Sequence, residues 1–258
     1  MKKFFTNKTV LFLLGIVILI LGWFLVSKMV DKNGVIFPGP FETILMVVDL
    51  LKKSSTYNAI LFTFSRLILG FVLSLLIAFI LGTIVNDNEK LYSFFQPIVT
   101  FFKSVPTATI VFLFITLSGI SGAPVLVVIT VTFPILYEAI VGAYRSTDKS
   151  IIESARVDGS SKLKTLLTIQ LPIGLPTILV GLTSSFSLAF KVEIMSEILT
   201  GFTNGGLGSL IKGAQILNPV DLTMMFAYSF IAIVFILLIT YLSNLVKGLI
   251  SKRYKIAK

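Results

Sequence analysis

Apolar residues in this chain come in long runs rather than alternations. Six runs approach the roughly 20 residues that cross a bilayer as helix. They cover 10–26, 60–85, 98–117, 125–144, 175–199 and 222–246. Each predicts a helix, because backbone polar groups in hydrocarbon must find partners within their own segment. Pro97, Pro124 and Pro176 fall at or near helix starts, where a missing N–H costs least, whereas Pro106 and Pro134 fall inside runs and predict kinks. Lys103 interrupts the third run, which makes it the weakest of the six. Segment 29–58 holds a rigid turn, Phe37-Pro38-Gly39-Pro40, and then an amphipathic stretch over 41–51 that suits the membrane interface. Segment 201–221 is glycine-rich.

Composition agrees with the pattern. The chain is 55% hydrophobic and 13% charged, with mean hydropathy +0.98. A soluble domain carries about a quarter charged residues. The expected fold is therefore an all-α membrane protein with about six transmembrane helices, forming a single domain over 1–258. Net charge is +10. No basic run is interleaved with aromatics on a polar stretch, so the excess points to positive charge held on the cytoplasmic side and not to nucleic acid. With the N-terminus inside, 14 of the 22 Lys and Arg fall in inner segments, five in outer ones and three within spans. This predicts both termini in the cytoplasm. The first run follows Lys2, Lys3 and Lys8 but no small-x-small cleavage site follows it, so it reads as a retained helix.

The chain has no Cys and no His. Thiol chemistry, disulfides and histidine-ligated metals are excluded. It also lacks a Gly-x-x-x-x-Gly-Lys-[Ser/Thr] phosphate loop.

The polar segment 145–172 is the longest inner one. It parses as two short helices with a tight break. Ser150 followed by Glu153 has capping-box spacing, Gly159 ends the first helix, Ser160 or Ser161 caps the second, and Pro172 stops it. Glu153, Ser154, Ala155, Gly159, Ile169, Leu171 and Pro172 stand at the spacing of a known signature: Glu-Ala-Ala, three residues, Gly, nine residues, Ile, one residue, Leu-Pro. The loop thus resembles that of binding-protein-dependent importer permeases, with Ser154 as the one departure. Thr63-Phe64-Ser65-Arg66 with Gly70 and Gly82, the Phe37–Pro40 turn, and Ser196-Glu197-Ile198-Leu199 followed by Gly206-Leu207-Gly208 resemble the nitrate, sulfonate and taurine branch.

The resemblance implies a MetI-like (type I) ABC importer permease fold in the bacterial cytoplasmic membrane. It implies that the first short helix is a coupling helix docking on a separate ATPase subunit, with Glu153, Arg156 and Asp158 at its rim. It further implies a permease homodimer and an extracytoplasmic binding protein that delivers a small organic or anionic solute. No cofactor is expected in this chain; ATP and Mg would sit on the partner ATPase.

Charges within the runs are candidates for a solute path. Lys191, Glu193 and Glu197 gather near the outer end of the fifth run, with the two carboxylates four residues apart on one helix face. Glu197 could instead order the glycine-rich loop, and Lys191 could snorkel. Arg66 and Lys103 lie near the ends of their runs, and Glu138 has no partner evident from spacing. Two other functions are open. A membrane enzyme would need a pair such as Ser187 with Lys191. A stand-alone secondary transporter would show an inverted repeat, and none is evident.

Overall fold

The computed structural model describes residues 8–31, 36–201 and 205–253. Lys2, Lys3, Lys32, Lys255 and Lys258 of the charge count lie outside the described residues. All regular structure there is helical. The order is α1 (Lys8–Val30), α2 (Pro40–Leu50), α3 (Ser54–Asn86), α4 (Glu89–Ser104), α5 (Thr107–Arg145), α6 (Lys149–Val157), α7 (Lys162–Thr165), a π turn (Leu166–Gln170), α8 (Leu171–Thr200), α9 (Leu207–Leu217) and α10 (Thr223–Arg253). Five helical stretches are long and apolar enough to cross a membrane.

The third expected run departs from plan, while the fourth lies within the helical limb that ends at Arg145. The helix over 98–117 is broken at Val105 and Pro106, because Pro106 lacks the N–H that would continue α4. Its second half joins α5, which spans 39 residues. A straight helix of that length would hold Glu138 about 46 Å from Thr107. Lys103, just before Thr107, nonetheless contacts Glu138 at 2.8 Å. The chain must therefore fold back within α5, and the one non-helical residue there is Gly119, at φ 73° and ψ 177°. Positive φ is nearly free only for glycine. The third limb is thus an interrupted one, 89–118, returning alongside 120–145.

The core is a three-helix sandwich of α3, the second limb of α5, and α8. α3 runs parallel to that limb at constant offset: Gly70 meets Val128, Ser74 bonds Thr132 at 2.8 Å, and Gly82 meets Ile140. α8 runs antiparallel, with Gly174 against Ala143 and Gly181 against Ala139. A Cβ on Gly174 would stand 2.5 Å from that of Ala143. These backbones therefore approach as small-residue membrane helices do, by van der Waals contact rather than hydrophobic drive. Around them, α10 packs on α2, α8 and α9.

The predicted interfacial stretch is α2, and its entry turn is pinned from both sides. Trp23 Nε1 donates to Pro38 O at 3.1 Å, Ser27 Oγ to Phe37 O at 2.7 Å, and the Phe37 ring meets Phe226 edge-on.

Pro172 does not stop a helix. It sits in the first turn of α8, immediately after the π turn. The wider turn leaves room for the proline ring opposite the carbonyl it would otherwise strike, so residues 162–200 run on as one rod.

Candidate functional site

Two clusters of functional side chains sit at opposite ends of α3 and α8. The first surrounds α6. Asp148 caps this helix, accepting from Ser150 N at 2.9 Å. The cap is thus Asp148 and not Ser150, and the side chain of Glu153 is exposed. At the other end Gly159 adopts φ +79°, with Gly159 N donating to Arg156 O and Ser160 N to Ala155 O. This is a Schellman stop. Ser161 then caps α7 through Lys164 N at 3.3 Å.

Arg156, expected at a partner's rim, pairs within the chain. Its guanidinium donates to Asp87, just past the end of α3, at 3.3 Å, and Lys162 reaches the same carboxylate at 3.5 Å. Gln170, at the end of the π turn, accepts from Asn86 Nδ2 at 2.9 Å and donates to Tyr144 O at 3.4 Å. Arg145 pairs with Glu89 at 2.8 Å and stacks 3.6 Å over the Tyr92 ring. Together these anchors tie α6 and α7 to the end of α3 and bind the ends of α3, α4, α5 and the π turn to one another. A cleft of about 450 Å³ remains between them, lined in part by Asp87, Glu153 and Arg156.

α6 buries Ala155 and turns Ile151, Ser154, Val157 and Asp158 outward. Val157 is 87% exposed and Ile151 44%. Ile169 and Leu171 are half-buried at the π turn, and Pro172 is exposed. Spacing alone did not point to Asp87, Arg145 or Gln170. Only their three-dimensional proximity ties them to the motif.

The second cluster lies at the far ends of the same helices. Glu197 is fully buried. Thr63 Oγ1 donates to its carboxylate at 2.8 Å, Gly208 N at 2.9 Å, and Arg66 approaches at 3.4 Å. Thr63 Oγ1 also accepts from Leu207 N at 2.8 Å. A Cβ on Gly206 would overlap the Glu197 carboxylate, and one on Gly208 would stand 2.5 Å from Ile194 O. Glu197 therefore orders the glycine-rich entry to α9.

Glu193, one turn away, is equally buried, and neither of its carboxylate oxygens has a hydrogen-bond partner. Lys191 is exposed on another face. The two carboxylates thus share a buried face of α8, as their spacing of four residues implies, and Lys191 stands apart from them. Ser187 bonds Thr240 at 3.1 Å, so it pairs with α10 rather than with Lys191. Glu138 does have a partner, Lys103, 35 residues away in sequence.

Comparison with known proteins agrees with this arrangement. A family model described as "Binding-protein-dependent transport system inner membrane component" matches residues 54–256. A protein of Brucella melitensis described as a probable ABC transporter permease is 27% identical over 198 residues, covering 76% of this chain and 78% of its own. A Bacillus subtilis protein named for aliphatic sulfonates transport, also a permease, is 22% identical, covering 75% of this chain and 70% of its own. Among solved structures, the inward-facing MetNI methionine ABC transporter superposes with TM-score 0.61 at 18% identity, covering 75% of this chain and 93% of that one. The MetI-type fold is thus shared, and the relatives are transport subunits rather than enzymes. The chain belongs to the family of inner-membrane components of binding-protein-dependent transport systems, and it is an ABC importer permease.

Proposed function

We propose that this permease forms half of a homodimeric translocation path and is driven by a separate ATPase subunit that grips α6. The observation that carries this reading is the outward face of α6. A short polar helix pinned by ion pairs leaves Val157 and Ile151 uncovered, with the small Ser154 between them. Apolar side chains flanking a small residue suit a partner's cleft, and Glu153 and Asp158 stand at the rim of that face. Arg156 acts from behind, holding the helix to Asp87.

ATP and Mg bind on the partner. Closure of two ATPase subunits would draw two copies of α6 together. The pull passes through Arg156 and Lys162 to Asp87 on α3, and through α7 and the π turn into α8. Both helices pack closely on the second limb of α5, so the movement reaches the path as a rotation of packed rods.

Arg145, Lys149, Arg156, Lys162 and Lys164 cluster at the α6 end, which supports placing that end and both termini in the cytoplasm. A binding protein delivers cargo at the Glu197 end. The motifs shared with the nitrate, sulfonate and taurine branch, and the sulfonate-named relative, favour a small organic or anionic solute of the sulfonate, nitrate, taurine or vitamin-precursor kind.

The test is co-purification from membranes with the cognate ATPase. Ile151→Glu with Val157→Glu should abolish recovery of the ATPase while the permease stays in the membrane. Undiminished recovery from that double variant would sink the reading.

A further inference from the structure

Neither cluster uses Lys103, near the end of α4, or Glu138 on α5. Lys103 Nζ donates to both carboxylate oxygens of Glu138, at 2.9 and 2.8 Å. The two side chains nevertheless keep 45% and 41% of their surface exposed. Glu138 stands two helical turns, about 10 Å, from Arg145 at the end of α5. An ion pair left open at that depth in an apolar chain faces water and not hydrocarbon.

Beside the pair, α4 and the second limb of α5 flank a half-open cavity of about 240 Å³ whose walls include Gln96, Tyr137, Glu138 and Arg145, and Lys103 meets it through its bond to Glu138. Tyr137 is 1% exposed, and its hydroxyl has no hydrogen-bond partner. A buried, unpaired hydroxyl in a cavity wall is a group that a ligand can satisfy. A more open cleft shares Tyr92 and Gln96 with this cavity and adds Ser93 and Thr100, so polar surface continues along α4.

We propose that this cavity is a solute-binding station on the translocation path, and that it selects small zwitterions. The proposal rests on the importer reading above and names its cargo class. Arg145 is already committed to Glu89 and Tyr92, so the exchangeable charges are Lys103 and Glu138. An anion that opens their pair leaves Glu138 without a counter-charge, and a cation leaves Lys103 without one. A zwitterion supplies both, its cationic group to Glu138 and its anionic group to Lys103. Tyr137 and Gln96 add neutral hydrogen bonds.

The chain lacks Cys, so Thr100→Cys, exposed in the adjoining cleft one turn along α4 from Gln96, introduces a single reporter in it. The permease–ATPase complex, in lipid nanodiscs, is treated with a sulfonated maleimide and the permease is read by mass. Rapid labelling is expected, slowed severalfold by 2-aminoethanesulfonate but not by ethanesulfonate or ethylammonium at equal concentration. Adding Lys103→Met should abolish protection by the zwitterion and create it for ethylammonium. The swap Lys103→Glu with Glu138→Lys should restore zwitterion protection, which separates loss of the pair from misfolding. Equal protection by all three solutes, protection by the anion alone, or no protection overturns the proposal. So does labelling that occurs only after the complex is dissociated, since that would make the face a subunit interface. Failure of the ATPase to co-purify would count against the importer reading instead, and the same labelling on the permease alone would still decide the station.

Discussion

The two ends of α3 and α8 are held by opposite kinds of chemistry. At the α6 end, Asp87 sits between Arg156 and Lys162 with all three side chains at least one-third open to solvent. At the other end, Glu197 has no exposed surface and takes its hydrogen bonds from Thr63, Gly208 and Arg66. Exposed ion pairs contribute little to stability and yield easily. Buried, fully engaged carboxylates are costly to disturb. The difference suits the proposed division of labour. One end must move with a partner that binds and releases, while the other must keep a glycine-rich entry in one shape. The comparison predicts that substitutions at the Glu197 end damage folding, and that substitutions at the α6 end damage coupling in a protein that still folds.

The largest effect is expected from Glu197→Ala. It strands the Thr63 hydroxyl and the Gly208 amide and takes an ion-pair partner from Arg66, and losing one partner of a buried, hydrogen-bonded charge costs about 3–5 kcal/mol. Thermal unfolding of the detergent-solubilised permease should fall accordingly, or folded protein should fail to accumulate. Glu197→Gln keeps an acceptor for Gly208 and Thr63 and should fall between the two. A Glu197→Ala protein as stable as wild type would end the contrast between the ends.

Glu193 sharpens the same contrast from within one helix. It is as buried as Glu197 but makes no hydrogen bond. Replacing an unsatisfied buried group by an apolar one of similar length removes a penalty of about 1–3 kcal/mol. Glu193→Met should therefore raise the midpoint of thermal unfolding, opposite in sign to Glu197→Ala four residues on. A fall would mean that the carboxylate has a partner in the assembled transporter, and measuring the same variant within the ATPase complex distinguishes the two.

How much of this was readable in the sequence depended on contact range. The break at Gly159 and the extent of α6 are local, set by residues within one turn, and spacing located them. Asp148 competed with Ser150 for the cap. Both residue types cap well, so only geometry decides between them. The reversal at Gly119 falls in the gap between the expected runs 98–117 and 125–144, so its place was legible, whereas its form, one positive-φ glycine between two helical limbs, was not. Its evidence is the Lys103–Glu138 contact across 35 positions. Pro172 was misread as a stop because the π turn that accommodates it leaves no compositional mark. Lys191 stands apart from Glu193 and Glu197 for a helical reason. Two residues apart on a helix face different ways, and burial divides Lys191 from its neighbours.

A smaller effect on stability is expected from Asp87→Asn. Removing the shared carboxylate should cost at most about 1 kcal/mol, because the pairs are partly exposed. Coupling should suffer more. With Arg156 and Lys162 released, the movement of α6 no longer pulls on α3, and transport per ATP hydrolysed in proteoliposomes should drop while the ATPase still co-purifies. Raising salt toward about 1 M, where the screening length is about 3 Å, should reproduce part of that loss in the wild type and none of it in Asp87→Asn. Wild-type coupling in the Asn variant would remove the ion pairs from the mechanism.

The smallest effect concerns Asp148. The Ser150 N–H and hydroxyl hold its carboxyl below the usual carboxylate range. A group whose folded pKa is depressed contributes stability that is present above its unfolded value and is lost as pH falls through the folded one. The cap is therefore complete at neutral pH and weakens only below about pH 4. Asp148→Asn retains an acceptor for the Ser150 amide and should leave α6 nearly intact at pH 7, with the pH dependence gone. Asp148→Ala removes the acceptor and should speed amide exchange in the first turn of α6 severalfold at pH 7, with no change around Thr63 and Glu197. Faster exchange at both ends would show the two clusters to be one cooperative unit, and the distinction between a yielding end and a fixed end would fail.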